Sequence, residues 1–422
     1  MDKSSQDALA GTAWLKFPTC ARCCMGALVA FATLQAHCAT ARDLTATPKA
    51  TPSHGSVAET RLLEIYKLMA QEEPRKALDL AEKLVTDFPN FQLAQLVYGD
   101  LLAARTHALK SMGDVPAPTA SAAASALADL KEESLHRVIA LKERPPEGTL
   151  PSQFLKLSPQ TRTAIAVDAA KSRLYLFTNG PSGLKLTADY YVSVGKAGTI
   201  KSQEGDQRTP LGVYFITSNL DTKTLNDFYG AGALPLNYPN ILDIKRGKSG
   251  GGIWLHGTPP QNYARPPRST DGCLVLSNPD IKALIRQINV GATPVVVSSQ
   301  LVWKPAAQLQ AQAHPFESAL RTWREAKESG DLKKVLGFYT PDFASYGKNL
   351  EQYTPQIRAE LKTSKGHTIE LKDLSYLHWS DSAETMVTTF GEVVAGRRTG
   401  IHKRQYWIRT AKDWQIFFEG VI

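Results

Sequence analysis

Apolar residues follow two different periods on either side of Thr161, and this change constrains the fold more than any other feature of the sequence. From Val57 to Arg105 they recur every three or four residues, which is typical of amphipathic helices. Beyond Thr161 they alternate, as in strands with one buried face. A chain of 422 residues can hold two or three domains. The sequence therefore predicts a multidomain protein in which a helical region precedes a β-rich one.

The helical region, residues 56–145, contains short helices separated by breaks. The stretch Ala77 to Asn90 and the helix that follows it resemble tetratricopeptide hairpins, with Pro89-Asn90 as the break between helices. Val115 to Ala126 and Pro145 to Gly148 predict linkers around one more short helix. One or two repeat units are too few for a freestanding solenoid. A lid, a dimerisation arm and a peptide-binding scaffold all remain open, and a protein partner is expected to bind at this region.

Two further domains follow. Residues 160–300 predict a mainly β domain with one helix, from Pro279 to Ile288. Residues 312–422 begin with an amphipathic helix near Pro315, continue with a helix from Asp331 to Tyr339, and end in alternating strands. This order resembles the α+β cone of nuclear transport factor 2 and its relatives (NTF2-like).

The N-terminus has the order of a secretory signal. Basic residues precede the apolar run Met25 to Leu34, and Ala39-Thr-Ala41 supplies small residues for cleavage after residue 41. The run is too short to span a bilayer and no later segment is long enough, so no transmembrane segment is predicted after cleavage. We expect a protein that is secreted across the inner membrane into the periplasm. His37 is too large to precede a lipid-modified Cys38.

Cleavage would leave a single cysteine, because Cys20, Cys23, Cys24 and Cys38 all precede residue 41. In an oxidising compartment a lone thiol is either a buried apolar residue or a nucleophile. Cleavage also removes three Lys/Arg and two Asp/Glu, so the net charge falls from +9 to +8. A basic exported chain is attracted to anionic polymers such as a cell wall. The charge is dispersed and the chain exported, so nucleic acid is not an expected partner.

Two segments carry the candidate chemistry: Gly252-Ile-Trp-Leu-His-Gly-Thr258 and Ser269-Thr-Asp-Gly-Cys-Leu274. They contain Cys273 and, 17 positions earlier, His256. A thiol needs a nearby base at neutral pH, and an imidazole that takes its proton also stabilises the thiolate. Cys273 is predicted to lie directly before a helix, whose dipole and free backbone N–H groups would favour a thiolate and hold an oxyanion.

These residues resemble the L,D-transpeptidase catalytic domain of the YkuD or ErfK type, which has a His-Gly segment followed by Ser/Thr-His-Gly-Cys. Thr270, Gly272 and Cys273 match the second motif. A further family string is present as Gly205-Asp-Gln-Arg-Thr-Pro-Leu-Gly-Val-Tyr214. The two motifs occur in the family's order, which makes the resemblance specific over about residues 160–300.

The resemblance implies a β-sandwich-like domain that acts on peptidoglycan stem peptides without a metal or cofactor. It implies that Cys273 attacks a peptide carbonyl to form a thioester, that His256 is the base, and that the Gly257 carbonyl orients the imidazole. The backbone N–H groups of Gly272 and Cys273 are candidates for the oxyanion hole. An amine or water then resolves the thioester.

Two positions depart from the family pattern. Asp271 stands where the family usually has histidine, and Val275 stands where arginine or asparagine is common. Asp271 leaves the nucleophile and base intact but changes the polarity of the pocket. Thr270, Asp271, Arg208 and Arg265 are the candidate substrate-binding residues, with the two arginines as replacements for carboxylate binding.

Other classes of function fit these residues less well. A zinc site is disfavoured because neither motif offers a second ligand at short spacing. A papain-like protease is disfavoured because its cysteine precedes its histidine. We expect transfer to an amine acceptor. The alternatives are an L,D-carboxypeptidase that trims tetrapeptide stems to tripeptides, as in cell-shape enzymes that join such a domain to an NTF2-like one, and a non-catalytic wall-binding scaffold.

Overall fold

The computed structural model describes residues 53–54, 56–114, 121–411 and 413–422. The predicted signal, residues 1–41, lies outside the described residues, as do Cys20, Cys23, Cys24, Cys38 and residues 115–120. No helix in the described part of the chain is long and apolar enough to cross a membrane.

The N-terminal helical region is confirmed. Its helices are α1 Val57–Ala70, α2 Pro74–Asp87, α3 Gln92–Ala103 and α4 Ser121–Lys142. The prediction of a linker reaching Ala126 and a short final helix was wrong, because α4 begins at Ser121 and spans 22 residues. Alanine is the strongest helix former, so the Ala-rich sequence extends the helix rather than interrupting it.

The central domain is mainly β, as predicted. The strands from residue 53 to residue 305 are β1 Ser53–His54, β2 Thr149–Pro151, β3 Phe154–Lys156, β4 Thr163–Asp168, β5 Arg173–Gly180, β6 Gly183–Tyr191, β7 Val194–Gly195, β8 Gly212–Phe215, β9 Ala233–Pro235, β10 Trp254–His256, β11 Arg268–Thr270, β12 Leu274–Val275, β13 Pro294–Ser298 and β14 Trp303–Pro305. Two helices accompany them, α5 Ile241–Lys245 and α6 Asn278–Ile285. The main sheet has the order β1-β6-β5-β4-β13-β8, and a smaller sheet has the order β12-β10-β9.

The C-terminal domain has the predicted helix-plus-sheet architecture. Its helices are α7 Ala306–Ser329, α8 Leu332–Leu336 and α9 Leu350–Ser364. Its strands are β15 Ala344–Ser345, β16 Lys348–Asn349, β17 Ile369–Ser380, β18 Glu384–Val394, β19 Ile401–Arg409 and β20 Trp414–Val421. The large sheet has the order β20-β19-β18-β17-β3, so β3, which precedes the central domain in the chain, completes it.

Two features of this domain differ from the sequence prediction. Helix α7 begins at Ala306, and Pro315 lies inside the helix instead of near its start. Only Leu309 and Ala313 are buried in its first turns, so the apolar signal there is weak. Helix α9 was not predicted, because its buried side chains form a single narrow stripe at Tyr353, Ile357 and Leu361 and it contains a proline.

The central and C-terminal domains share a hydrophobic core. In β4, Ile165 and Val167 pack into the interior of the central domain. Ala164 and Ala166, on the opposite face, pack in a cluster that includes Val387 and other residues of the C-terminal sheet. Successive side chains point to opposite faces of a strand, so a sheet covered on both sides buries every residue. All six residues of β4 are buried for this reason.

Buried charges join the helical region to the main sheet. Glu59 on α1 accepts hydrogen bonds from Arg137 on α4 at 2.8 Å and from Arg173 on β5 at 2.7 Å. Arg137 also pairs with Glu133 at 2.7 Å, and Arg173 with Asp189 at 2.6 Å. Each of the five side chains is at most 4% exposed. Because a buried charge without its partner is strongly destabilising, this network fixes the helices against the sheet.

Candidate active site

Strand pairing brings the two candidate catalytic residues together. Strands β10 and β12 are parallel neighbours, with Leu255 opposite Leu274 and His256 opposite Val275. Cys273 directly precedes β12, so it lies one diagonal step from His256 across the two strands. Segments 17 residues apart in sequence are thus adjacent because the sheet places them side by side.

His256 is buried and has a defined tautomer. Its side chain is 1% exposed, and Nδ1 lies 2.7 Å from the carbonyl oxygen of Gly257. A carbonyl only accepts hydrogen bonds, so Nδ1 carries the proton and Nε2 has a free lone pair. Burial, together with the charge of Arg265, lowers the pKa of His256 to about 4, although the hydrogen bond to Gly257 acts in the opposite direction. The imidazole is therefore neutral at pH 7, as a base must be.

Cys273 is the free cysteine of the described residues and is partly buried. Its Sγ–H donates to the carbonyl oxygen of Gly252 at 3.4 Å. Burial raises the pKa of the Cys273 thiol, while a hydrogen bond from the Trp254 backbone and the charge of Arg265 lower it by less. Both shifts favour a neutral thiol and a neutral imidazole over a thiolate–imidazolium pair.

The surroundings of Cys273 differ from the prediction in one more respect. Strand β12 follows the cysteine, and helix α6 begins only at Asn278. The N-terminus of α6 is capped by Ser277, whose hydroxyl accepts from the backbone N–H of Asp280. A helix dipole acts mainly within its first turn, so it does not explain the environment of the thiol.

Gly272 has a backbone conformation that other residues rarely adopt. Its φ is +125°, and a Cβ built there would lie 2.7 Å from the carbonyl oxygen of Arg208. Its N–H donates to Thr270 Oγ1 at 3.1 Å, so in this arrangement it is not free to bind an oxyanion. Of the two predicted donors, the Cys273 N–H is the remaining candidate.

Two threonines build the turn that presents the thiol. Thr270 Oγ1 donates to the Cys273 carbonyl at 2.7 Å, and Thr270 is 2% exposed. Thr209, from the Gly205–Tyr214 string, donates to the Gly272 carbonyl at 3.0 Å and accepts from Gly195 N–H at 2.8 Å. The string is a turn followed by β8, and Thr209 connects it to the cysteine turn. Both hydroxyls are thus occupied in shaping the site.

Aromatic rings and one arginine cover His256. The ring of Tyr229 contacts the imidazole edge-on at a centroid distance of 5.1 Å, and the ring of Phe228 lies at 5.9 Å. The guanidinium of Arg265 lies 4.6 Å above the Phe228 ring. Burial lowers the pKa of Arg265, and the nearby Cys273 and Asp271 oppose this effect. Of the two candidate arginines, Arg265 is therefore the one that contacts the aromatic cover of His256.

Asp271 and Arg208 are both solvent-exposed. Asp271 is 74% exposed and pairs with Lys196 at 2.9 Å. Arg208 Nη1 donates to the Thr199 carbonyl at 3.1 Å, and its own carbonyl packs against Gly272. Among the described residues, no three His, Cys, Asp or Glu side chains are grouped to hold a metal ion.

Sequence reasoning missed residues that support the site. Asn278 Oδ1 accepts from Ala231 N–H at 2.8 Å and Thr258 N–H at 3.2 Å, and its Nδ2 donates to Thr258 O at 2.8 Å. A Cβ on Gly257 would lie 2.2 Å from Asn278 Oδ1, so only glycine fits there. The Ser277-Asn-Pro-Asp280 sequence signals a helix start but not this crosslink. No sequence signal predicted that Phe228 would lie over His256.

Comparisons with known proteins agree with the architecture. The YkuD family model, the L,D-transpeptidase catalytic domain, matches residues 162–297, and the Cds6 C-terminal NTF2-like domain matches residues 315–420. Bd1075 of Bdellovibrio bacteriovorus is 24% identical with a TM-score of 0.55, over 65% of this chain and 98% of that one. The helical cell shape determining protein Pgp2 from Campylobacter jejuni is 19% identical with a TM-score of 0.50, over 68% and 98%.

At these identities the two structural likenesses show a shared fold. No curated protein sequence matches the chain. The family models cover the central and C-terminal domains, and Cys273 and His256 both fall within the first of them. This protein therefore combines a YkuD-type L,D-transpeptidase catalytic domain with a Cds6-type C-terminal NTF2-like domain.

Proposed function

We propose that the protein is an exported peptidoglycan L,D-transpeptidase in which Cys273 forms a thioester with a stem peptide and His256 is the general base. The observation that carries this proposal is the hydrogen bond between His256 Nδ1 and the Gly257 carbonyl. It leaves Nε2 of a neutral, buried imidazole free to accept a proton. The strand that carries His256 also pairs with the strand that directly follows Cys273.

The reaction proceeds in two acyl transfers. His256 Nε2 takes the Cys273 proton as sulfur attacks the carbonyl carbon of the bond between an L-centre and a D-centre. The C–N bond breaks, and the departing D-amino acid takes the proton from His256. In the second half, an acceptor amine loses a proton to His256 and attacks the thioester, which releases the sulfur to recover that proton. With water as acceptor, the product is a shortened stem.

The candidate binding groups have separate roles in this proposal. Cys273 N–H is the oxyanion donor, since Gly272 N–H is held by Thr270. Arg265 binds a substrate carboxylate, because it is half-buried and its guanidinium rests on Phe228, the ring that lies against His256. Asp271, exposed and paired with Lys196, is a candidate contact for an ammonium group. Arg208 is the second candidate for a carboxylate.

Trimming of tetrapeptide stems by an L,D-carboxypeptidase is the second candidate. It is favoured by domain order, since the catalytic domain is followed by an NTF2-like domain and the fold extends over 98% of Pgp2, a cell-shape determinant. A role in cell shape is part of this proposal. A non-catalytic wall-binding scaffold is third, and the intact pair of Cys273 and His256 on adjacent strands argues against it.

The proposed setting is the periplasm, which follows from a peptidoglycan substrate and from the signal-like N-terminus. The helical region is the proposed binding surface for a protein partner. Its inner face is already packed on the main sheet through Glu59 and Arg137, so a partner would bind its outer face.

The test is mass spectrometry of purified muropeptides incubated with wild type, Cys273→Ala or Cys273→Ser, with and without an added D-amino acid. Cysteine-dependent crosslinks or D-amino-acid exchange would establish a transpeptidase. Tripeptides alone, with loss of the terminal residue, would establish the carboxypeptidase. Identical products from wild type and Cys273→Ala would refute the mechanism.

A further inference from the structure

The loop of residues 258–268 connects the two catalytic segments and is held by the helical region. Its Tyr263 is 4% exposed and stacks on Phe91 at a centroid distance of 4.1 Å, with Phe88 edge-on at 5.8 Å. The Tyr263 N–H donates to Asn90 O at 3.0 Å, and its hydroxyl bonds to Ser56. All four partners come from residues 56–91, so the helical region holds Tyr263 of this loop in place.

A second contact fixes the same loop from the sheet side. Tyr191 OH donates to the Arg265 carbonyl at 2.9 Å. The guanidinium of Arg137 lies 4.1 Å above the Tyr191 ring, and Arg137 belongs to the buried charge network with Glu59. The loop backbone on both sides of Ala264 is thus set by contacts that involve the helical region.

We propose that Tyr263 is a positioning residue through which the helical region holds Arg265 over Phe228 at the His256–Cys273 site, where its guanidinium receives a carboxylate of the substrate. This inference deepens the proposed function and rests on it for the identity of the substrate. It also means that the N-terminal helices are a working part of the catalytic unit and not a lid that must move away.

Tyr263 can position Arg265 because only a short stretch of backbone separates them. Arg265 is two residues from Tyr263, so its Cα follows the anchor closely, and its side chain then rests on the Phe228 ring. Without the Tyr263 anchor, the loop keeps the hydrogen bond from Tyr191 to Arg265 but gains conformational freedom. A charged group displaced by about 1 Å loses much of its effect on a bound substrate.

The experiment compares alkylation of Cys273 by iodoacetate, which is anionic, and by iodoacetamide, which is neutral. The rates are read on the Cys273 peptide by mass spectrometry, using the full chain. Their ratio cancels changes in thiol pKa, so it reports the positive potential at sulfur and needs no peptidoglycan. Arg265→Gln should lower the ratio about three-fold or more, and Tyr263→Ala should lower it by a similar factor.

Matched variants separate positioning from general destabilisation. Tyr263→Phe keeps the stacking on Phe91 and should stay within two-fold of wild type. Ile357→Ala truncates the C-terminal core, far from the loop, and should leave the ratio unchanged. Tyr263→Leu keeps an apolar side chain and replaces Tyr263→Ala in the comparison if Tyr263→Ala does not fold. It should also lower the alkylation ratio. Its kcat/KM for muropeptides should fall because KM rises.

An unchanged ratio in folded Tyr263→Ala or Tyr263→Leu, while Arg265→Gln lowers it, would overturn the positioning role. An unchanged ratio in Arg265→Gln would overturn it too, because the arginine would then not act at the thiol. A wild-type protein that converts no muropeptide would instead refute the proposed function, and the alkylation ratio would still decide the positioning role.

Discussion

Replacement of Asp280 by asparagine should change how the stability of the protein depends on pH. Asp280 lies in the first turn of α6 and is 3% exposed. Ser277 Oγ donates to its Oδ2 at 2.6 Å, but its Oδ1 is buried with no hydrogen-bond partner among the described residues. Burial and the nearby Glu59 carboxylate raise the pKa of Asp280 to about 7, although Ser277, Arg137 and Arg173 act in the opposite direction.

The direction of this pH dependence follows from the number of protons that the folded and unfolded states bind. An unfolded chain loses this proton near pH 3.8, whereas the folded protein keeps it to about pH 7. Between these values the folded state binds one more proton, so the contribution of Asp280 to stability is complete below about pH 4 and is lost as pH rises through 7. A shift of about three pKa units corresponds to at most about 4 kcal/mol.

The assay is urea unfolding followed by tryptophan fluorescence at several pH values from 4.5 to about 8, for wild type and Asp280→Asn in the same buffers. Asparagine does not titrate, so the variant should become progressively more stable relative to wild type as pH rises. Asp79→Asn, which removes an exposed carboxylate on α2, controls for the change in net charge. A stability difference that is constant across this pH range would refute the reasoning.

Three further predictions concern the site and its support. Gly272→Ala should destabilise the protein by about 2–3 kcal/mol, because φ is +125° and the new Cβ would meet the Arg208 carbonyl oxygen. It should also lower muropeptide turnover at least ten-fold. Urea unfolding measures the first effect and product analysis the second. With the pKa of His256 lowered to about 4, kcat/KM should stay level from about pH 5 to pH 8, while Cys273 alkylation by iodoacetamide rises with pH; a flat alkylation profile would indicate a thiolate ion pair instead. Glu59→Gln should cost about 3–5 kcal/mol by urea unfolding, against little change for the exposed Glu82→Gln on α2.

The sequence predicted that Cys273 and His256 would lie close together, because both residues lie in short, specific motifs. It also predicted the architecture, since the change of period at Thr161 separates helical from strand-rich segments. Helix α9 was not predicted because its buried residues form one narrow stripe instead of a wide apolar face. Packing of that stripe against the rest of the domain stabilises the helix. The position of β3 in the C-terminal sheet was equally hidden, because three residues carry no period of their own.

The environment of the site could be predicted less well than its residues. Burial decides that the thiol and imidazole are both neutral, and burial depends on Phe228 and Tyr229, which are remote in sequence. The contact between Tyr263 and Phe91 joins residues 172 positions apart in the chain, and no local pattern encodes it. The strand after Cys273 was missed because two residues of β12 cannot show alternation.

The most direct test of the central claim is to trap the acyl-enzyme. Wild-type protein and Cys273→Ala would be mixed with tetrapeptide muropeptides, quenched in acid within the first turnover, and measured by intact-protein and peptide mass spectrometry. We predict a mass increase equal to the mass of the muropeptide minus that of the released D-amino acid, located on Cys273 and absent from the variant. Products that accumulate with no adduct on Cys273, or an adduct that persists in Cys273→Ala, would contradict the account.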